Sequence, residues 1–191
     1  MAVEMSAEDF KRLQTELQNQ ELDSAGGVAT VQQYTQLLAL HLLHNEICEA
    51  KFVWKRIPYA IKTSALELVN VWAVGQKIWL RDFPGIYEAL NKEWSDPVKP
   101  IMTALLAATR QRAFNLVGQA YDSINIDDLA CFVGMSSSDT AQELTNRNEG
   151  WVADPQTRFV TPKKPVLDND PVLVSEQQLS VLTDYVSFLE S

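Results

Sequence analysis

The chain is short of positive charge. Its 191 residues carry 16 Lys and Arg against 25 Asp and Glu, a formal net charge of −9. Nucleic-acid affinity comes largely from Lys and Arg displacing counterions from phosphates, so this balance argues against a phosphate-backbone binder. The deficit is spread evenly. Residues 1–95 hold 9 basic and 12 acidic side chains, and residues 96–191 hold 7 and 13. No basic tail is left to act as an arm, and the acidity favours solubility and binding to other proteins. Cysteine is scarce as well. Cys48 and Cys131 lie far apart with no spacing motif, which predicts reduced, buried thiols in a protein of the cytoplasm and nucleus. No apolar run approaches the roughly 20 residues of a membrane span. The opening "MAVEMSAEDFKRL" lacks the basic and apolar regions of a secretory signal.

Catalytic equipment is equally thin. The two histidines, His41 and His44, form H-x2-H-x3-C with Cys48. Asn45 and Glu46 are expected to break the helix inside that motif, and no fourth ligand is spaced alongside, as a structural zinc site would require. Cys131 falls between Ala130 and Phe132 on an expected core face, away from the exposed, activated environment a nucleophilic thiol needs. No G-x-S-x-G or P-loop pattern occurs, and the glycine of "WAVGQK" reads as a close packing point inside a helix. The sequence therefore predicts no catalytic residue, no metal and no cofactor: the chain is not an enzyme.

What the chain does have is helical period. Phe10, Leu13 and Leu17 start an amphipathic helix that ends before "SAGG". Tyr34, Leu37, Leu38 and Leu42 form a second. After the short "HNE" connection, Ile47, Ala50, Phe52, Val53 and Trp54 make a third that stops at Pro58. Leu66 to Trp79 supply the next, "DFPGIYEALNKEW" a short Pro-initiated one, and residues 95–124 one or two more, with Ser95 or Asp96 as candidate N-cap. Trp54, Trp72 and Trp79 sit at helical spacing and are expected in the core or between helix pairs. Residues 1–122 thus read as a helical-repeat region.

The texture then changes. "SINIDDLACFVG" and "SSSDTAQELTNRN" are two short helices around Gly134, with Ser138 as candidate N-cap of the second. "GWVADPQTRFVTPKKP" places strand-like residues on either side of the turn signal "DPQT". Helix, turn, helix, hairpin is the order of a winged helix, here residues 123–165, with Trp151 plugging the wing against its core. A polar linker, 166–174, leads to a terminal helix over 175–191, with Ser175 and Gln178 as the candidate capping box. The fold class is mostly α. DNA reading is disfavoured, because residues 123–150 carry five carboxylates and a single base, Arg147. Gln142 and Asn146 suit base edges, but only Lys163 and Lys164 stand nearby to anchor phosphates. The winged helix is expected to bind protein.

Helical repeats feeding a winged helix describe the PCI domain. The runs "QLLALHLLHNEICEAKFVWKRIP", "VWAVGQKIWLRDFPGIYEAL", "QRAFNLVGQAYDSINIDDLACFVG", "GWVADPQTRFVTPKKP" and "LTDYVSFLE" go further and resemble the subunit-eight family of the COP-nine signalosome, from about Glu16 to Glu190. "KFVWKRIP" and "DFPGIY" make the match specific, since the fold alone does not demand them. The resemblance implies a non-catalytic scaffold subunit of the complex that removes the ubiquitin-like modifier Nedd8 from cullins and so regulates cullin-RING ubiquitin ligases. The isopeptidase of that complex needs an H-x-H pair, which this chain lacks. Relatives sit in the proteasome lid and in eukaryotic initiation factor three.

Two candidate binding surfaces follow. The strand region Trp151 to Pro162, with Trp151, Phe159 and Val160, is expected to offer an unpaired sheet edge, and the resemblance implies subunit three as its partner. On the terminal helix, Leu179, Leu182, Val186 and Leu189 repeat at spacings of 3, 4 and 3, with Tyr185 and Phe188 widening the face. The resemblance implies that this helix joins a bundle shared by several subunits, in a hetero-oligomer without nucleic acid or membrane. The alternatives are a PCI scaffold of the proteasome lid or a stand-alone winged-helix adaptor. A terminal helix this apolar is unsuited to an exposed tail and favours a subunit of an assembly.

Overall fold

The structure, a computed structural model, describes residues 6–24, 28–147, 151–153, 157–162 and 175–190. Side chains at 145–147, 153 and 175–178 lie outside that description.

Helix α1 (Ala7–Asp23) starts with a capping box. The Ser6 hydroxyl accepts from the Asp9 N–H, and the Asp9 carboxylate accepts from the Ser6 N–H. Its buried positions, Phe10, Gln14, Leu17 and Glu21, repeat at helical spacing. Helix α2 (Val31–Leu43) is capped in the same way by Thr30 and Gln33, and from Leu37 to Leu43 every residue is buried. An all-round apolar helix belongs in the middle, and α2 packs on α1, α3 (Ile47–Arg56), α5 (Leu66–Leu80) and α7 (Lys99–Ala120). The Arg56 guanidinium donates twice to the buried Glu21 carboxylate, both at 2.6 Å, and ties α3 to α1. The one glycine of "WAVGQK", Gly75, is a packing point, since a Cβ there would meet the Leu42 side chain at 3.1 Å.

One element adds to the sequence reading, and one open alternative closes. A one-and-a-half-turn helix, α4 (Tyr59–Ser64), follows Pro58, and residues 99–120 form one uninterrupted helix. That helix is about 33 Å long at 1.5 Å per residue. It gives Ile101, Met102 and Leu105 to the core of the repeats and Phe114 and Val117 to a second core. The expected N-cap at Ser95 or Asp96 is not there. The residue before the helix is Val98, with no side-chain cap, and Ser95 instead accepts the Val98 and Lys99 N–H groups on its carbonyl.

The second core is the winged helix. Strand β1 (Ile124–Asn125) leads into α8 (Ile126–Val133), then α9 (Ser137–Arg147), β2 (Val152–Ala153) and β3 (Phe159–Thr161). Ser136, not Ser138, caps α9: its hydroxyl accepts from the Asp139 N–H at 3.1 Å. Leu129, Val133, Leu144, Ile124 and Val160 fill the interior with Phe114 and Val117. Trp151 plugs it as expected, half-buried and edge-on to Phe114 at 5.9 Å. Helix α6 (Phe83–Leu90) joins the two cores. The Tyr87 hydroxyl donates to the Phe132 carbonyl at 2.9 Å, and Phe83 meets Phe132 edge-on at 5.3 Å. From α7, Arg110 lies over the Tyr87 ring and donates to the carbonyls of Val133 and Gly134.

Both cysteines depart from expectation. Cys48 and Cys131 are exposed. Helix α8 turns Leu129, Ala130 and Val133 inward, and at 100° per residue Cys131 falls on the opposite face. Helix α10 (Ser175–Glu190) closes the chain. Ser175 is its first helical residue rather than a flanking cap, and the Ser175 and Gln178 side chains lie outside the described residues.

Candidate interaction surfaces

The wing is a three-stranded antiparallel sheet in the order β1-β3-β2. Val160 sits opposite Ile124 on one side and Ala153 on the other, and Asn125 faces Phe159. Within the expected edge region Trp151–Pro162, β2 is the outer strand and β3 is not. Phe159 and Val160 lie on the middle strand, so their backbone is already paired, and Val160 is 1% exposed in the core. Among the described residues, β1 and β2 each pair on one side only. The free edge therefore belongs to Val152, 65% exposed, and to Ile124–Asn125. Phe159 still shows its ring to solvent. Strand β1 escaped detection because two residues carry no alternation to read.

The start of α8 ties α9 and the wing together through a carboxylate. Asp127 accepts from the Ser137 hydroxyl at 2.7 Å and from Arg158 at 3.0 Å, so the wing's arginine is neutralised internally. Gln142 is exposed on α9. Lys163, Lys164 and the Asn146 side chain lie outside the described residues.

The terminal helix is the most apolar exposed element. Leu179, Val181, Leu182, Tyr185, Val186, Phe188 and Leu189 all lie between 52% and 79% exposed. Monomeric soluble proteins rarely expose so much contiguous apolar surface. Trp79, also 54% exposed, departs from its expected core place: Lys51 covers it from one side, Nζ 4.9 Å from the ring. Trp54 and Trp72 do lie between helices, stacked at 5.2 Å and half-buried.

The histidine motif is taken apart by the α2–α3 turn. Helix α2 ends at Leu43, Asn45 adopts a left-handed φ of 63°, and α3 restarts at Ile47. His41 is buried, and with its proton on Nδ1 it donates to Glu46 at 2.8 Å, while Gln14 donates to the same carboxylate oxygen at 2.7 Å. Burial alone would raise the Glu46 pKa, but these hydrogen bonds outweigh it and hold the carboxyl below its usual range. His44 faces the opposite problem. Its Nδ1 is buried with no hydrogen-bond partner among the described residues, and desolvation lowers its pKa. Among the described residues no three His, Cys, Asp or Glu side chains are grouped to hold a metal ion. No described helix is long and apolar enough to cross a membrane.

The model of the CSN8/PSMD8/EIF3K family matches residues 29–169 of this chain. The chain belongs to that family. Among its curated relatives, the COP9 signalosome complex subunit 8 of Xenopus tropicalis is 52% identical over 185 residues, 95% of this chain and 94% of the relative. That of Danio rerio is 50% identical over 190 residues, covering 98% and 97%. That of Arabidopsis thaliana is 37% identical over 157 residues, covering 80% and 78%. The family match runs from just before α2 through the wing. It therefore takes in Trp151, Phe159 and Val160 but stops short of α10, whereas the alignments with the vertebrate relatives span nearly the whole chain.

Proposed function

We propose that this chain is a non-catalytic scaffold subunit of the COP9 signalosome, acting in a complex that deneddylates cullins and thereby regulates cullin-RING ligases. The observation that carries the reading is the terminal helix. Seven large apolar side chains stand exposed on α10, beyond what a solvated helix tolerates, and the near-full-length similarity to signalosome subunits supplies a fitting assembly. Helix α10 enters a bundle of helices from several subunits, and the wing sets the neighbour, subunit three, through an outer strand. That strand is β2 or β1, since β3 is enclosed. The chain itself brings no catalysis, metal or cofactor to the complex, and it works in the cytoplasm and nucleus. Near-full-length likeness to signalosome subunits favours this assembly over the proteasome lid and over a stand-alone adaptor.

The test is a double substitution, Leu182→Asp with Val186→Asp, co-expressed with the other signalosome subunits. Both positions are exposed, so the variant should keep its circular dichroism spectrum and melting temperature. It should fail to co-migrate with the complex, because two carboxylates would have to be buried in an apolar bundle. A variant that assembles at wild-type yield refutes the role of α10.

A further inference from the structure

Two open cavities lie side by side where α3, α5, α6, α7 and α8 converge, of about 620 and 440 Å³, and they meet at Ile47. Their floor is apolar: Phe83, Leu116, Tyr121 and Phe132 in the larger, Trp72 and Trp79 in the smaller. Leu116 and Trp79 are each 54% exposed and leave much of this surface open to solvent. The charges along the groove have one sign. Arg81 and Arg112 line the larger cavity and Lys51 the smaller, and among the described residues no carboxylate lines either one. That is an unusual concentration in a chain with 25 acids and 16 bases.

The complementary surface is on the same polypeptide. Helix α10 carries Glu176, Asp184 and Glu190, no Lys, Arg or His, and the broad apolar face described above. Its residues 179–190 are exposed. We infer that, in the free subunit, the groove between α3 and α8 receives the α10 helix of a second copy, with apolar faces joined and the acids of α10 set against Lys51 and Arg81. Exchange of one helix in each direction makes the contact isologous, so it closes as a two-fold dimer. An apolar helix in a groove is a common recognition mode, and the charges fix its register and partner. The role of α10 in the larger assembly is independent of this pairing: the dimer is what the free subunit forms when no other subunit competes for the helix.

Sedimentation of the purified full-length chain from about 1 to about 100 µM tests the inference, because a mass-action dimer must appear as concentration rises. The expected result is a weight-average mass climbing from one chain towards two, and falling again at high salt as the charges are screened. Two variants of the groove lining separate the partners: Lys51→Glu with Arg81→Glu, and Leu116→Glu. Each should weaken the dimer by at least about tenfold with an unchanged circular dichroism spectrum, equivalent to about 1.4 kcal/mol. Adding Asp184→Lys with Glu190→Lys to the first variant should restore it. A chain that stays monomeric throughout overturns the inference. A dimer lost on Leu182→Asp with Val186→Asp but untouched by the groove variants also overturns it, because the helices would then pair with each other. Monomers whose α10 amides are protected from hydrogen exchange would show the groove filled from within, and this too overturns it.

Discussion

Gly134→Ala probes the joint between the two cores. Gly134 ends α8 at φ 65°, and a Cβ built there would lie 2.1 Å from the Tyr87 ring. Two costs add. An L-residue in the left-handed region costs about 1–2 kcal/mol relative to glycine. The ring must also move, which breaks the Tyr87 hydrogen bond to the Phe132 carbonyl, at about 1 kcal/mol. It also pulls the ring from beneath Arg110, 5.9 Å away, for about another 0.5 kcal/mol. Reduced freedom of the unfolded chain returns about 0.5 kcal/mol. The net loss is about 2–3 kcal/mol, or about 4–12 °C in melting temperature for a chain of this length. Urea denaturation followed by tryptophan fluorescence measures it. The decisive arm is the double variant. With Tyr87→Ala already in place the ring is gone, so Gly134→Ala should then cost only the backbone part, about 1 kcal/mol. An equal cost in both backgrounds would show that the ring contact contributes nothing, and the reasoning would fail.

Burial lowers the His44 pKa from its usual 6.5, with His41, Lys11 and Arg112 adding to the effect and Glu46 opposing it. A depressed folded pKa means stability that is present above the unfolded value and lost as pH falls, so the urea midpoint should drop from about pH 7 downward. His44→Asn should flatten that slope, and an unchanged slope would remove His44 as its source. Val160→Asp buries a carboxylate in the second core and should cost several kcal/mol of stability. By contrast, Val152→Asp, on an exposed outer strand, should leave the melt unchanged while weakening capture of subunit three in a pull-down; the reverse pattern would return the binding edge to β3. Fluorescence titration against duplex DNA should show no binding at physiological salt, and micromolar affinity with a steep salt slope would refute the reading of the winged helix as a protein-binding element.

The acid balance, the helical period and the order of helix, turn, helix and hairpin were readable directly, because each depends on residues close together in the chain. The spacing of Phe10 and Leu17 and that of Tyr34, Leu37, Leu38 and Leu42 already imply which faces are buried, and the core contains both sets. The break at Asn45 was legible for the same reason. The terminal helix could be recognised as unusually apolar from seven residues within eleven positions.

What lay beyond the sequence were facts about neighbours distant in the chain. Strand β1 is two residues long, and only its pairing with β3, more than thirty positions later, makes β3 a middle strand and moves the free edge to Val152. Trp79 has the spacing of a core residue but is half-exposed, with only the Lys51 ammonium placed over its ring, and Cys131 sits between apolar neighbours while facing out. Periodicity shows that a helix has an apolar side; it cannot show which of several apolar positions another element will cover. The groove at Ile47 is the strongest case. Its walls come from α3, α5, α6, α7 and α8, and its single-signed charge emerges only when Lys51, Arg81 and Arg112 are brought to one surface of an acidic chain. Local order follows from short-range sterics and solvation between neighbours along the chain, whereas edges, exposure and the clustering of charge follow from packing between elements far apart in it.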